Sequence, residues 1–276
     1  MRTIVHLSDL HFGRVDEALL APLIEQVNAI GPDIAVVSGD LTQRARSEQF
    51  KQARRFLDAL PTPQIIVPGN HDIPLHNVFD RFARPLDKYR RFISNDPEPA
   101  YLDEEIAVVG INTARSLTFK EGWLDQEQIA QMRTRLCSLP DSVIKVIVTH
   151  HPFDLPEHYT EKDLARRASV AMNAFSNCRT DLLLAGHMHI SHAGSTATRH
   201  KIGDYSALFV QAGTATSTRA RGESNSFNVI RTTPSRITIE RYSWSPEERA
   251  FTLTASEGFE RVAKGWTRSA SPPNFP

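Results

Sequence analysis

Five short apolar segments of this chain each end at a cluster of residues that commonly bind metal ions. The length and the β-branched or leucine-rich composition of these segments predict buried strands. Open α/β sheets bind ligands just beyond the carboxyl ends of their strands. The clusters therefore predict one pocket that holds metal. In chain order they are Asp9-Leu10-His11, Gly39-Asp40, Gly69-Asn70-His71-Asp72, His150-His151-Pro152 and Gly186-His187-Met188-His189.

The spacing of apolar residues predicts alternating strands and helices over the first two thirds of the chain. Strands are expected at 3–7, 34–37, 65–67, 106–111, 144–149 and 182–185, and helices at 16–30, 47–60, 77–93 (broken by Pro85), 125–136 and 163–175. From about residue 193 only strands are expected, at 208–210, 227–230, 237–239 and 251–253. We expect these to form a second sheet packed face to face on the first. Residues 1–268 are predicted to be one domain and residues 269–276 a C-terminal tail.

Composition limits the classes of partner and compartment. Lys+Arg and Asp+Glu both number 32, so the formal charge is zero, which argues against a protein that binds nucleic-acid duplexes. The sequence shows no apolar run that could cross a bilayer and no room for a signal peptide before the first strand. Cys137 and Cys178 stand alone, a pattern typical of buried thiols in a reducing compartment. We therefore expect a cytoplasmic protein with no membrane partner. Composition does not distinguish a monomer from a homo-oligomer.

The ordered set DLH, GD, GNHD, HH and GHMH resembles the motifs of the calcineurin-like metallophosphoesterases over roughly residues 4–192. The resemblance implies an α/β fold of four layers (αββα), with two mixed β-sheets packed face to face and helices on the outer faces. It implies that His71 is uncoordinated and faces the substrate. It also implies two metal ions bridged by Asp40, one held by Asp9, His11, Asp40 and His189, the other by Asp40, Asn70, His150 and His187.

The residue types themselves agree with a hydrolytic metal site. Mixed imidazole and carboxylate ligands suit manganese, iron or zinc better than calcium or magnesium. A carboxylate at a strand end can bridge two ions about 3.5–4 Å apart, and paired ions lower the pKa of a shared water. A metal-bridging hydroxide is therefore expected to attack phosphorus. We expect Asp40, Asn70 and His71 to be catalytic.

Two departures from the protein-serine/threonine phosphatases narrow the predicted function. Where their motif reads GDxxDRG, this chain has Gln43 in place of the aspartate that would pair with the catalytic histidine, and GNHD replaces GNHE. Both forms resemble the class III phosphodiesterase branch, which includes cyclic-nucleotide and glycerophosphodiester hydrolases. The missing acidic partner leaves the orientation of His71 unexplained. The candidates for contact with substrate are Asn70, His71, His151 and Arg44, although His151 also suits a place behind the ligands and Arg44 a solvated helix terminus.

The predicted function is hydrolysis of small soluble phosphodiesters by a binuclear-metal enzyme. A phosphomonoesterase is an alternative, because metal ligands alone do not distinguish a diester from a monoester. A nuclease is disfavoured by the neutral charge and the lack of an aromatic and basic track. A non-enzymatic scaffold of the same fold should have lost ligands or the substrate-facing histidine, and this chain retains all of them. Residues 213–219 and 225–227 also resemble that branch, but receive no catalytic role.

Overall fold

The computed structural model describes residues 1–75, 77–118, 120–155, 164–196, 205–219 and 222–269. The strands in these ranges are β1 Arg2–Leu7, β2 Ile34–Ser38, β3 Gln64–Val67, β4 Ala100–Leu102, β5 Ile106–Gly110, β6 Ile144–Val148, β7 Leu182–Ala185, β8 His192–Ser195, β9 Leu208–Gln211, β10 Ser226–Thr232, β11 Arg236–Ser245, β12 Ala250–Val262 and β13 Gly265–Arg268. The α-helices are α1 Leu20–Ile30, α2 Ser47–Asp58, α3 Val78–Ala83, α4 Asp87–Phe92, α5 Gln126–Leu136 and α6 Ala168–Asn177. None of the helices within these ranges is long and apolar enough to cross a membrane.

The strands form two mixed sheets. The first has seven strands in the order β13-β12-β11-β10-β1-β2-β3, and the second has six in the order β4-β5-β6-β7-β9-β8. The expectation that the C-terminal strands form the second sheet is wrong for β10 to β13. These strands extend the first sheet, because β10 pairs antiparallel with the edge of β1, from Arg2 opposite Thr232 to His6 opposite Asn228. Of the later strands, β8 and β9 join the second sheet.

Alternation along the strands separates three apolar cores. Ile4 of β1 and Val146 of β6 belong to the core between the two sheets. Val5 faces the other way and packs in the core that contains residues of α1 and α2. On the second sheet, Ile147 shares a core with residues of α5 and α6. The layers are therefore helix, sheet, sheet and helix, which confirms the predicted αββα architecture.

The two cysteines form a disulfide, so the predicted free thiols are wrong. Cys137 directly follows α5 and Cys178 directly follows α6, and their Cα atoms are 4.3 Å apart. Both helices pack on the same face of the second sheet, which brings their carboxyl ends together. Disulfides are rare in reducing compartments. The cysteine argument for a cytoplasmic location therefore does not hold.

The carboxyl ends of five strands meet at one edge of the sandwich. The loop after β1 contacts the loop after β2 through a hydrogen bond from the backbone amide of Asp9 to the carbonyl of Gly39, 3.2 Å long. The loop after β7 contacts the loop after β6 through the amide of Gly186 and the carbonyl of His150, at 3.1 Å. The fold thereby brings the five motif clusters to one place.

Candidate metal centre

Four of the predicted ligands form one compact, buried group. Asp9, His11, Asp40 and His189 each offer a ligand atom, and these atoms all lie within 4.8 Å of one another. His189 Nε2 lies 3.1 Å from Asp9 Oδ1 and 3.2 Å from His11 Nε2. Among the described residues, Asp9 Oδ1 is buried without a hydrogen-bond donor. A carboxylate and two imidazoles that face one another in this way form a donor set that fits a metal ion.

The second predicted group surrounds His150. Its Nε2 atom lies 3.2 Å from Asn70 Oδ1, 3.3 Å from His187 Nδ1 and 3.4 Å from Asp40 Oδ1. The other carboxylate oxygen of Asp40, Oδ2, lies 3.7 Å from Nε2 of His11 in the first group. Asp40 thus presents one oxygen to each group, which is the arrangement that a bridging ligand requires. The donor set fits two metal ions.

Backbone carbonyls fix the orientation of two of these histidines. His150 Nδ1 lies 2.8 Å from the carbonyl oxygen of Ser38, and His189 Nδ1 lies 3.2 Å from that of Arg219. Because a carbonyl only accepts, both Nδ1 atoms carry a proton, and the lone pair of each ring in its neutral, metal-binding form is therefore on Nε2. Metal-binding histidines are usually held by such a second hydrogen bond.

Five of the seven predicted ligands adopt positive φ angles, which residues other than glycine rarely adopt. The values are 53° at Asp9, 51° at His11, 51° at Asp40, 73° at His187 and 59° at His189. Strain of this kind costs on the order of 1–3 kcal/mol per residue and is found mainly at functional sites. The surrounding loops must therefore hold these residues in place.

Close approach explains the glycines within the motifs. A Cβ atom on Gly69 would lie 2.2 Å from Asp40 Oδ1, and one on Gly186 would lie 1.8 Å from Ser8 Oγ. Buried Asp72 ties two loops together, since it accepts hydrogen bonds from the amides of Thr42 at 2.8 Å and Gly69 at 2.9 Å. The last residue of GNHD is therefore a support for the loops.

Burial and charge separate the protonation states of the histidines. Burial lowers the pKa of His150, but the Asp40 carboxylate more than offsets this and raises the pKa to about 9. Burial and neighbouring His150 lower the pKa of His187 to about 3. In the metal-free protein at neutral pH, His150 is therefore a positively charged imidazolium, whereas His187 is neutral.

A cavity of about 330 Å³ adjoins the candidate metal ligands. Three predicted substrate-contact residues, Asn70, His71 and Arg44, line it. His151 is not among its lining residues and is only 1% exposed, with Nδ1 2.8 Å from Thr113 Oγ1 and its ring centroid 4.6 Å from that of His187. His151 is thus buried beside His187 and does not line the cavity. The full lining is Gln43, Arg44, Asn70, His71, Ile73, Leu75, Arg81, Lys120 and Arg219.

The orientation of His71, unexplained by the sequence, follows from two contacts. Its Nδ1 atom lies 2.9 Å from the backbone carbonyl of Gln43, so a neutral main-chain group stands where an acidic side chain would be expected. Its Nε2 atom lies 3.1 Å from Nη1 of Arg219 and 4.0 Å from Asp40 Oδ2. Sequence reasoning singled out residues 213–219 but missed Arg219, since no local pattern places it beside His71.

Known proteins resemble this chain in sequence and in fold. The family model described as calcineurin-like phosphoesterase matches residues 2–191. The glycerophosphodiester phosphodiesterase GpdQ of Enterobacter lignolyticus is 30% identical over 165 residues, which are 55% of this chain and 58% of that protein. A probable cyclic nucleotide phosphodiesterase of Rhodopseudomonas palustris is 26% identical over 67% of this chain and 70% of its own length. The structure of purple acid phosphatase PPD1 from yellow lupin covers 95% of this chain and aligns over 54% of its own, with 10% identity and a TM-score of 0.71.

Proposed function

Because this chain belongs to the calcineurin-like phosphoesterase family, we propose that it is a binuclear-metal phosphodiesterase that acts on small substrates of the cyclic-nucleotide or glycerophosphodiester type. The observation that carries the proposal is the position of Asp40, with one oxygen toward each group of ligands. Manganese, iron or zinc would suit the mixed donor set. Two such ions, when bound, would supply Lewis acidity and an activated water.

Residues of the chain itself favour a diester as the substrate. The cavity is lined by Arg44 and Lys120 as well as by Asn70 and His71, and its volume of about 330 Å³ leaves room for a second ester group. Its volume lies at the lower end of the range of about 300–1,000 Å³ typical of small-molecule sites. His71 Nδ1 contacts the backbone carbonyl of Gln43, at a position where a protein phosphatase would have an aspartate. The names of the two bacterial relatives agree with a diester.

Metal-stripped protein reconstituted separately with manganese, iron and zinc tests this proposal. We expect a higher kcat/KM on bis-p-nitrophenyl phosphate than on p-nitrophenyl phosphate at neutral pH. The opposite ranking by tenfold, or about 1.4 kcal/mol of transition-state stabilisation, would favour the monoesterase alternative.

A variant of the bridging residue tests the two-metal arrangement. Asp40→Ala removes a donor from both groups, so elemental analysis should show the loss of both ions together with activity. Asp58→Ala, which removes an exposed carboxylate on α2, is the matched control and should keep both ions. Two tightly bound ions in Asp40→Ala would show that Asp40 is not the bridge.

A further inference from the structure

Arg219 places a positive charge beside the metal ligands without an acidic partner. Its Nη1 atom lies 3.1 Å from His71 Nε2, and no carboxylate of the described residues lies within 4.0 Å of its guanidinium. The side chain is half-buried and lines the cavity together with His71 and Asn70. A guanidinium in such a place is available to an anion that enters the cavity.

The hydrogen bond between Arg219 and His71 has only one consistent direction. His71 Nδ1 donates its proton to the carbonyl of Gln43, so the neutral imidazole has its lone pair on Nε2. Arginine only donates, and its Nη1–H therefore points at that lone pair. A neutral imidazole is a weaker acceptor for a guanidinium than a phosphoryl oxygen, which carries charge and matches its planar geometry.

We propose that Arg219 is a catalytic residue that changes partners when substrate binds. In the free protein its guanidinium is held by His71 Nε2. When a phosphodiester enters, the guanidinium moves to a non-bridging oxygen of the scissile phosphoryl group, and His71 Nε2 is released toward the leaving group. This inference rests on the proposed phosphodiesterase function, whose site it extends by one residue.

The main chain of Arg219 has a separate role, which permits a clean test. Its carbonyl oxygen accepts from His189 Nδ1 and would remain in any side-chain variant. Arg219→Ala should therefore keep two metal ions while it loses the phosphoryl contact. Arg219→Lys keeps the positive charge, but its ammonium group replaces the planar guanidinium, which can donate two parallel hydrogen bonds. Arg55→Ala removes an exposed arginine of α2 and is the matched control.

Calorimetry with inorganic phosphate on the metal-loaded protein measures the contact without catalysis. We expect the Kd to rise at least tenfold in Arg219→Ala, less in Arg219→Lys and not at all in Arg55→Ala. The kcat on bis-p-nitrophenyl phosphate should fall by about 10²–10³ in Arg219→Ala, as for other single donors to a developing oxyanion. Unchanged phosphate affinity, or loss of a metal ion in Arg219→Ala, would overturn the proposal.

The change of partner has a spectroscopic signature that does not depend on turnover. The ¹⁵N shift of His71 Nε2 in the wild-type protein should move on addition of phosphate in the same direction as in Arg219→Ala without phosphate. If phosphate does not shift the His71 Nε2 resonance, the proposed exchange of partners by Arg219 is refuted. If no diester is hydrolysed, yet phosphate weakens the contact between Arg219 and His71 as expected, the phosphodiesterase proposal fails. The role of Arg219 in binding anions then still stands.

Discussion

His150 Nε2 lies 3.4 Å from Asp40 Oδ1, and both side chains are buried. The carboxylate raises the pKa of His150 to about 9 in the absence of metal, despite the opposite effect of burial. A histidine must be neutral to bind a metal ion, so loading the site at pH 7.5 should release a proton. Calorimetry in buffers of different ionisation enthalpy should detect it. Metal affinity should rise with pH up to about 9, and this rise should be absent in His150→Asn.

The same pair gives the stability of the metal-free protein a defined pH dependence. Because the folded pKa of His150 lies above the unfolded value of 6.5, its contribution to stability is fully present below 6.5 and is lost as the pH rises through about 9. Urea denaturation of the metal-free protein should show this decrease, and the metal-loaded protein should not. A flat profile between pH 6.5 and 9 in the metal-free protein would contradict the assignment.

The role of His151 can be separated from that of His187. His150, His151 and His187 also form a group whose ligand atoms lie within 4.8 Å, so geometry alone offers His151 as a ligand. We expect His151→Ala to keep both ions, because Asn70 and Asp40 lie beside His150, and His187→Ala to lose one. Elemental analysis of both variants decides the matter. If His151→Ala binds only one ion, His151 rather than Asn70 is a ligand of the second site.

Much of the architecture follows from patterns that are local in sequence. The strand ends that carry Asp9, Asp40 and His150 were predictable, because each follows a short, mostly apolar segment. Pro85 correctly divided the helical segment into α3 and α4. By contrast, β8 and β13 have only four residues each and no apolar run, so their hydrogen bonds to neighbouring strands define them.

What the sequence could not predict depends on contacts between distant segments. The positive φ angles of Asp9 and His187 arise from loops that constrain one another, and nothing in the motifs encodes them. The contact between Arg219 and His71 joins residues 148 positions apart. Sequence motifs therefore predicted which side chains gather at the site, whereas the orientation of His71 required the structure.

The disulfide should contribute to stability without affecting catalysis. It closes a loop with a sequence separation of 41 residues, for which the loss of chain entropy predicts about 4 kcal/mol. The carbonyl of Cys178 accepts from Lys145 near the start of β6, whereas the candidate metal ligand His150 follows the end of that strand. Cys137→Ser/Cys178→Ala should therefore unfold at a lower urea concentration and keep its kcat/KM at 25 °C. Free thiols in the unreduced wild-type protein would refute the pairing.

The last prediction concerns the proton that the leaving group requires. His71 completes neither group of candidate ligands, and its Nε2 lies toward the space between Asp40 and Arg219. Once released from Arg219, the Nε2 lone pair can take up a proton from water and pass that proton to a departing alkoxide, and general acid catalysis of this kind is typically worth about 10²–10⁴-fold in rate. A nitrophenolate leaves without a proton, whereas a sugar or glycerol alkoxide needs one. His71→Ala should therefore lose little activity on nitrophenyl diesters and 10²–10⁴-fold on an alkyl diester.

Steady-state kinetics on both diesters, together with metal analysis, test this assignment. His71→Ala should keep two ions, since every candidate ligand is retained. An equal loss on both substrates would make His71 a residue that positions the phosphoryl group. Loss of an ion would instead show that the His71 side chain supports the ligands through its contacts with Asp40 Oδ2, 4.0 Å from Nε2, and with the ring of His11. The dependence on the leaving group is the result that only proton transfer explains, because neither positioning nor support of the metal ligands distinguishes a nitrophenolate from an alkoxide.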